Sequence, residues 1–186
     1  MTESEAIARC LQGDAQAFGW VVRQHKHMVH TVSLRVLRHR EDAEESTQDT
    51  FVKAFQNLSA FQGGSKLSTW LYSIAYRTAV SKLRGRKNRE VVAEEHSGAA
   101  IGSVDLDRNE AADRSRALDM ALSALPKEDA TVITLFYLHE QSIEEIVTIT
   151  GFTASNVKVK LHRSRKRMHA TLALLLKDEL WTIMEP

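Results

Sequence analysis

The sequence predicts an all-α protein made of two small helical domains joined by a flexible linker. Apolar residues return every three or four positions along most of the 186 residues, which is the period of an amphipathic helix. Capping boxes, which mark helix starts, occur at Thr2 with Glu5 and at Ser142 with Glu145. Proline, which interrupts helices, occurs only twice, and strand-like alternation is scarce.

Four helices are expected in the first domain, residues 1–88. A short helix follows Thr2, and a second begins at Asp14 and runs to about His39. The apolar positions of the second helix are Phe18, Val21, Val22, Val29, Val32 and Val36 or Leu37.

The third helix, residues 40–58, has an apolar side and a polar side. Its apolar side is expected to hold Phe51, Ala54, Phe55 and Leu58, and its polar side holds Asp42, Glu45, Asp49 and Gln56. A loop with Gly63 and Gly64 follows. The fourth helix, residues 67–87, is expected to bury Leu67, Trp70, Leu71, Ile74 and Thr78.

Residues 89–112 are predicted to be a linker, because small and acidic residues cannot bury enough apolar area to offset the cost of ordering the backbone. The second domain, residues 113–186, begins with an amphipathic helix. Pro126 suits the first turn of the next helix. Ser142 opens a third helix, Gly151 ends it, and Thr153 caps a long final one.

The totals exclude several classes of protein. A formal net charge of +1 argues against general attraction to polyanions, although charge is gathered in local blocks. One cysteine, Cys10, allows neither a disulfide framework nor a cysteine zinc site within one chain. No signal peptide or membrane-spanning stretch is apparent, so we expect a cytoplasmic protein.

The final helix carries a cluster of cations. Between residues 156 and 176 the chain has six cations and no acid. The preceding helix and the turn at Gly151 complete a helix-turn-helix pattern, whose second helix fits the DNA major groove. A solvated basic face that binds nothing is the alternative interpretation, but the helix-turn-helix pattern favours duplex DNA.

A second basic cluster, at the end of the first domain, consists of Lys82, Arg84, Arg86, Lys87 and Arg89. Aromatic residues precede it, as expected for a protein that binds single-stranded DNA by stacking. Trp70 falls in the apolar stripe and is expected in the core. Tyr72, Tyr76 and Arg77 lie further from that stripe and are candidates for DNA contact.

Two stretches resemble a known family. "DAEESTQDTFVKAFQNLSAFQGGSKLSTWLYSIAYRTAVSKLR" resembles region 2 of the extracytoplasmic-function sigma factors, group IV of the sigma-70 family of bacterial RNA polymerase. "LPKEDATVITLFYLHEQSIEEIVTITGFTASNVKVKLHRSRKRM" resembles their region 4. Together they cover about half the chain. The resemblance implies an alternative sigma factor that binds core RNA polymerase, captures melted −10 DNA and recognises −35 duplex DNA.

The resemblance also implies roles for matched positions. Core polymerase binding falls on Asp42, Glu45, Gln48, Asp49 and Phe51. Binding of −10 DNA falls on Lys53, Asn57, Phe61, Ser65, Lys66, Tyr72, Tyr76, Arg77 and Arg84. Binding of −35 DNA falls on Ser155, Asn156, Lys158, Val159, Lys160, His162, Arg163 and Lys166. Position 77 is often asparagine in the family, so Arg77 puts the −10 base preference in question.

The resemblance further implies an anti-sigma factor that holds the protein inactive, in the cytoplasm or at the inner membrane. No cofactor, metal, small-molecule substrate, membrane insertion or catalytic residue is expected. His25, His27 and His30 could share a metal, but no cysteine lies nearby and Lys26 opposes a cation.

The principal rival function is a dimeric helix-turn-helix regulator that works without polymerase. A protein-interaction module is a third class, and the two basic clusters argue against it. The tail, residues 172–186, either packs on the second domain or forms a partner surface.

Overall fold

The computed structural model describes the backbone of residues 1–90 and 110–175, with side chains throughout except at 87–90 and 110–113. Within these ranges the chain is helical and contains no strand. The helices are α1 (Glu3–Leu11), α2 (Ala15–Leu37), α3 (Arg40–Gln56), a short 3-10 turn (Leu58–Ala60), α4 (Leu67–Glu90), α5 (Glu110–Ser123), α6 (Lys127–Tyr137), α7 (Ile143–Thr150) and α8 (Ala154–Leu175).

The predicted caps of α1, α2 and α7 are confirmed. Both capping boxes form, at Thr2 for α1 and at Ser142 for α7. Asp14 accepts hydrogen bonds from the first backbone N–H groups of α2. Gly151 ends α7 with a φ of +76°, a left-handed conformation that glycine adopts without steric cost. Local capping chemistry therefore sets these boundaries.

The helices on either side of the predicted linker, residues 89–112, extend into it at both ends. Helix α4 continues to Glu90 and α5 begins at Glu110, so five residues assigned to the linker are helical. These five residues are Arg, Glu and Ala, which are good helix formers and extend helices that are already nucleated. The remainder of the linker, 91–109, and the tail from residue 176 lie outside the described residues.

The first unit comprises helices α1 to α4, and its core forms where α2 packs against α3 and α4. Val21, Val32 and Leu71 are fully buried there. The expectation that Phe55 faces the core is wrong, because its side chain is 45% exposed. Phe55 lies near the end of α3, where one edge of its ring contacts Phe18, 5.1 Å away between centroids, and the remainder faces solvent.

The second unit comprises helices α5 to α8, and the two units pack directly on each other. Helix α4 contacts α7, and α2 contacts α6. The Thr69 hydroxyl lies 3.0 Å from the Gln141 amide oxygen across this boundary, and both residues are buried. At the other end Arg35 pairs with Asp119 at 3.0 Å. In the described residues no helix is long and apolar enough to cross a membrane.

Candidate nucleic-acid interface

Helices α7 and α8 form the predicted helix-turn-helix. Each of the two helices buries an apolar pair in the hydrophobic core. The pairs are Ile146 and Ile149 of α7, and Val157 and Leu161 of α8. The Thr153 hydroxyl accepts the Asn156 backbone N–H at 3.2 Å and caps α8. The second helix is therefore held by one apolar face, and its opposite face is open to a ligand.

Seven of the eight residues predicted to contact −35 DNA share this open face. All seven are exposed, namely Ser155, Asn156, Lys158, Val159, His162, Arg163 and Lys166. The helix N-terminus lies at the same end and adds donor N–H groups and a positive partial charge. The arrangement suits polar contacts in the groove from the first turns and phosphate contacts further along.

Lys160 is the exception, because its ammonium group forms ion pairs within the second unit. Its ammonium lies 2.7 Å from a Glu128 carboxylate oxygen and 3.1 Å from one of Asp129. Burial alone would lower the pKa of Lys160, but these two carboxylates outweigh it and the pKa is raised. We therefore place Lys160 with the packing of α8 on α6, in contrast to its predicted contact with DNA.

A pocket of about 360 Å³ lies between α3 and α4 in the first unit. It is lined by Lys53, Asn57, Ala60, Trp70, Ile74, Arg77 and Thr78. Three of the predicted −10 residues, Lys53, Asn57 and Arg77, meet here. Trp70, Ile74 and Thr78 were missed as lining residues because they follow the core pattern of the fourth helix, and Ala60 because it falls in the loop. Trp70 is only partly buried, and its ring lies 5.3 Å from that of Phe61.

Tyr72 and Tyr76 are not at the surface, and the expectation that they are surface aromatics is wrong. Tyr72 is fully buried, its hydroxyl lies 3.0 Å from the Met28 sulfur and its ring is 5.2 Å from His139. Tyr76 is 8% exposed and its ring lies 6.2 Å from that of Phe152. Burial raises the pKa of Tyr76 to about 12. The second unit covers both tyrosines.

The loop before α4 is also in contact with the second unit. The Lys66 ammonium lies 3.1 Å from a carboxylate oxygen of Glu145, the capping residue of α7. The backbone N–H of Ser142 and then Lys66 hold the pKa of Glu145 below its usual range, despite partial burial. Ser65 and Arg84 are exposed. The predicted −10 residues thus divide into a pocket group, an exposed pair and a group that contacts the second unit.

Two basic side chains of α4 partly neutralise the acidic face of α3. Lys82 lies 2.5 Å from Glu45 and 3.7 Å from Asp42, and Arg86 lies 3.3 Å from Asp42. Asp49 forms no ion pair in the parts of the chain described. Of the three predicted acidic docking residues, Asp42 and Glu45 are therefore ion-paired within the described part of the protein, and Asp49 is not.

The other two predicted polymerase contacts also differ. Gln48 is exposed, whereas Phe51 is 7% exposed and supports the face from beneath. Of the second basic cluster, the Lys87 and Arg89 side chains lie outside those described.

The histidines do not assemble a metal site in the described ranges. His25 is buried beside Glu3, 3.5 Å away, and burial lowers the pKa of its imidazole although Glu3 opposes this.

Comparison with known families gives two matches in the same order along the chain. The description "Sigma-70 region 2" matches residues 21–89, and "Sigma-70, region 4" matches residues 115–168. These ranges contain the α3–α4 pocket and the helix-turn-helix, respectively.

Curated relatives match over nearly their whole length. RNA polymerase sigma factor YlaC of Bacillus subtilis is 30% identical over 161 residues, covering 84% of this chain and 92% of the relative. The ECF RNA polymerase sigma factor SigW of the same organism is 28% identical over 182 residues, covering 92% and 97%.

Solved structures show the same fold. The sigma factor RpoE of Bartonella quintana, in complex with the anti-sigma factor NepR, superposes with a TM-score of 0.68 at 24% identity and covers 88% of this chain and 98% of its own. CnrH, in complex with the cytosolic domain of CnrY, gives 0.64 at 21% and covers 91% and 96%. Sequence, order of regions and fold agree, and the chain belongs to the extracytoplasmic-function sigma factors of RNA polymerase.

Proposed function

We propose that this sigma factor docks on core RNA polymerase through α3, contacts −35 duplex DNA through α8 and captures one base of melted −10 DNA in the α3–α4 pocket. The observation that carries the proposal is the juxtaposition, in one chain, of an exposed helix-turn-helix face and a cationic pocket with an aromatic wall. A duplex-binding regulator needs the first of these features and has no use for the second.

Charge supports separate partners for separate surfaces. The exposed cations Lys158, Arg163 and Lys166 on α8 suit phosphates. Asp49 on α3 suits a basic protein surface, since complementary charge guides docking and fixes its register. We further propose that residues 1–88 and 113–186 are separate domains, that the factor works in the bacterial cytoplasm, and that it acts by binding and not by enzymatic chemistry.

An anti-sigma partner is part of the proposal. The fold relative RpoE is found in complex with the anti-sigma factor NepR, and CnrH in complex with the cytosolic domain of CnrY. A partner of this kind would hold the present chain inactive by covering its DNA or polymerase surfaces, either in the cytoplasm or, if the partner is anchored, at the inner membrane.

Run-off transcription with native core polymerase and a library of promoters randomised in the −10 and −35 blocks tests the function. Transcripts that depend on the protein and share a motif in both blocks are expected. Retention of duplex DNA without any initiation would instead favour the dimeric regulator.

Two charge-reversal variants test the docking face. Asp49→Lys is expected to weaken association with core polymerase by roughly tenfold, because repulsion replaces attraction at an exposed docking position. Glu44→Lys is the matched control, since Glu44 pairs with Arg40 on the surface of the same helix. Equal loss for both variants would contradict the assignment of this face.

A further inference from the structure

Each polar side chain of the α3–α4 pocket is held by a neighbour. The Arg77 guanidinium donates from Nε to the Ser73 carbonyl oxygen at 2.9 Å and from Nη2 to the Ser73 hydroxyl at 2.7 Å. The Lys53 ammonium donates to the Thr78 hydroxyl at 3.2 Å. The Asn57 amide donates to the Lys53 carbonyl oxygen at 2.8 Å. The pocket is thus organised before any ligand enters.

Ser73 fixes the orientation of Arg77. Its hydroxyl proton is already donated to the Trp70 carbonyl oxygen at 2.8 Å, so the oxygen presents its lone pairs to the guanidinium. Ser73 is 3% exposed, which restricts competition from water for this contact. A guanidinium fixed by two bonds to one residue loses little further freedom when it binds a ligand.

The hydrogen-bonding groups of the pocket that remain available to a ligand are mostly donors. Two of the five N–H donors of Arg77 bond to Ser73, which leaves three. Lys53 retains two of its three N–H donors, since one bonds to Thr78. The Asn57 amide oxygen supplies an acceptor. A base that enters beside the Trp70 ring therefore meets positive charge and a planar pair of donors.

We propose that Arg77, positioned by Ser73, makes this pocket select a base with two adjacent acceptors, one of them a carbonyl oxygen. Guanine offers O6 with N7, and cytosine offers O2 with N3. Adenine has no carbonyl oxygen, and in thymine a ring N–H lies beside each one. This inference rests on the proposed capture of a −10 base and specifies which chemical class of base is captured.

The test is selection from the randomised promoter library with four variants beside the parent protein. The parent is expected to favour guanine or cytosine at one −10 position by roughly five- to a hundredfold over adenine and thymine, the range of one bidentate pair. Arg77→Asn should lower the preference for guanine or cytosine and raise adenine, because asparagine pairs one donor with one acceptor.

Two further variants separate fork geometry from charge. Arg77→Lys keeps the charge and loses the planar fork, so discrimination should fall while transcription persists. Ser73→Ala should weaken discrimination without changing the favoured base, since Arg77 remains but is no longer fixed. Arg84→Asn is the control: it removes an exposed cation of α4 outside the pocket lining, and it should lower overall promoter use with an unchanged base profile.

The outcomes separate the two proposals. Absence of any protein-dependent transcript would overturn the proposed function itself. Transcripts with −10 and −35 motifs, but with the same base frequencies for the parent and Arg77→Asn, would overturn the inference alone. Selection of adenine or thymine by the parent at every −10 position would also overturn it.

Discussion

At the scale of single residues, the neighbours of a charged side chain decide its role. Lys158 and Lys160 lie two residues apart on α8 and look alike in sequence. Lys158 is exposed, whereas the Lys160 side chain is 17% exposed and lies between Glu128 and Asp129. The Lys160 ammonium also lies 5.1 Å from the centre of the Phe152 ring. One lysine is available to DNA and the other stabilises the second unit.

Substitution of each lysine by alanine should separate these roles. Lys160→Ala is expected to lower the free energy of unfolding by about 2 kcal/mol, because the buried Asp129 loses its closest cation. Lys158→Ala should change stability by less than about 0.5 kcal/mol and weaken −35 DNA binding. Urea denaturation and duplex-binding titrations measure the two effects. Equal destabilisation by both variants would show that the ion pairs contribute little.

His139 makes stability depend on pH. Burial, and secondarily the charge of Arg35, lowers the pKa of its imidazole below the ordinary 6.5. The unfolded chain therefore takes up the proton first as pH falls. Stability is complete above about 6.5 and decreases below it. The free energy of unfolding should fall between pH 7.5 and 5.5.

Variants identify the contribution of His139 to that fall. His139→Asn should reduce the dependence on pH, with a remainder from His25, whose pKa is also lowered. The exposed His169 provides the control, and His169→Asn should leave the curve unchanged. Denaturation midpoints across the pH range measure this, and parallel curves for the parent and His139→Asn would exclude the assignment.

At the scale of helices and turns, the turn between α7 and α8 depends on one backbone conformation. Gly151→Ala is expected to destabilise the second unit by about 1–2 kcal/mol, because φ is +76° there and a Cβ disfavours the left-handed region. The cost is one of conformation, since no atom lies within 4 Å of the added Cβ. Gly64→Ala is the control, with equal space and no positive φ.

Local signals explain which elements the sequence could predict. Caps at Thr2, Asp14 and Ser142 involve residues two or three positions apart, so the sequence contains the whole interaction. The exposed face of α8 followed from its helical period in the same way. Burial of Tyr72 and Tyr76 could not be predicted, because their covering residues His139 and Phe152 are more than sixty positions away.

The same reasoning applies to the site. Lys53, Asn57 and Arg77 were identified through the family resemblance, but their hydrogen-bond partners were not. The hydrogen bond between Arg77 and Ser73 is local, because Ser73 lies four residues before Arg77. The sequence pattern could not predict it, since the guanidinium could equally have bonded to water. The pairing of Lys82 with Glu45 joins two helices, and helical period alone does not fix how two helices face each other.

At the scale of the whole molecule, the described arrangement is closed. Glu145 of α7 bonds to Lys66 of the loop before α4, and Phe152 lies over Tyr76. Tyr76, a proposed −10 contact, is thus covered by the unit proposed to contact −35 DNA, and Lys66, which is exposed, forms an ion pair with that unit. The two units must separate before Tyr76 becomes accessible to DNA.

Thr69→Val should favour that separation. The Thr69 hydroxyl lies 3.0 Å from the Gln141 amide oxygen and 3.3 Å from a Glu145 carboxylate oxygen, and valine keeps its shape without the donor. A loss of about 1 kcal/mol is expected, which raises the ratio of open to closed molecules roughly fivefold. Small-angle scattering should report a larger radius of gyration.

Thr31→Val is the matched control, because the Thr31 hydroxyl donates to the His27 carbonyl oxygen within its own helix. An equal radius for the parent and Thr69→Val would show that the hydroxyl does not hold the units together.

The ion pairs of Lys160 reduce the number of cations in α8 that could displace counterions from promoter DNA. Of the six cations in α8, Lys160 pairs with carboxylates, Arg165 bonds to the Tyr137 hydroxyl, and Arg167 lies 4.0 Å from Asp129. Lys158, Arg163 and Lys166 remain to displace counterions from phosphates. The logarithm of the binding constant of the second unit should therefore fall against that of salt concentration with a slope of about −3, where six free cations would give about −5. Binding through three counterion exchanges would lose less affinity when the salt concentration rises than binding through six.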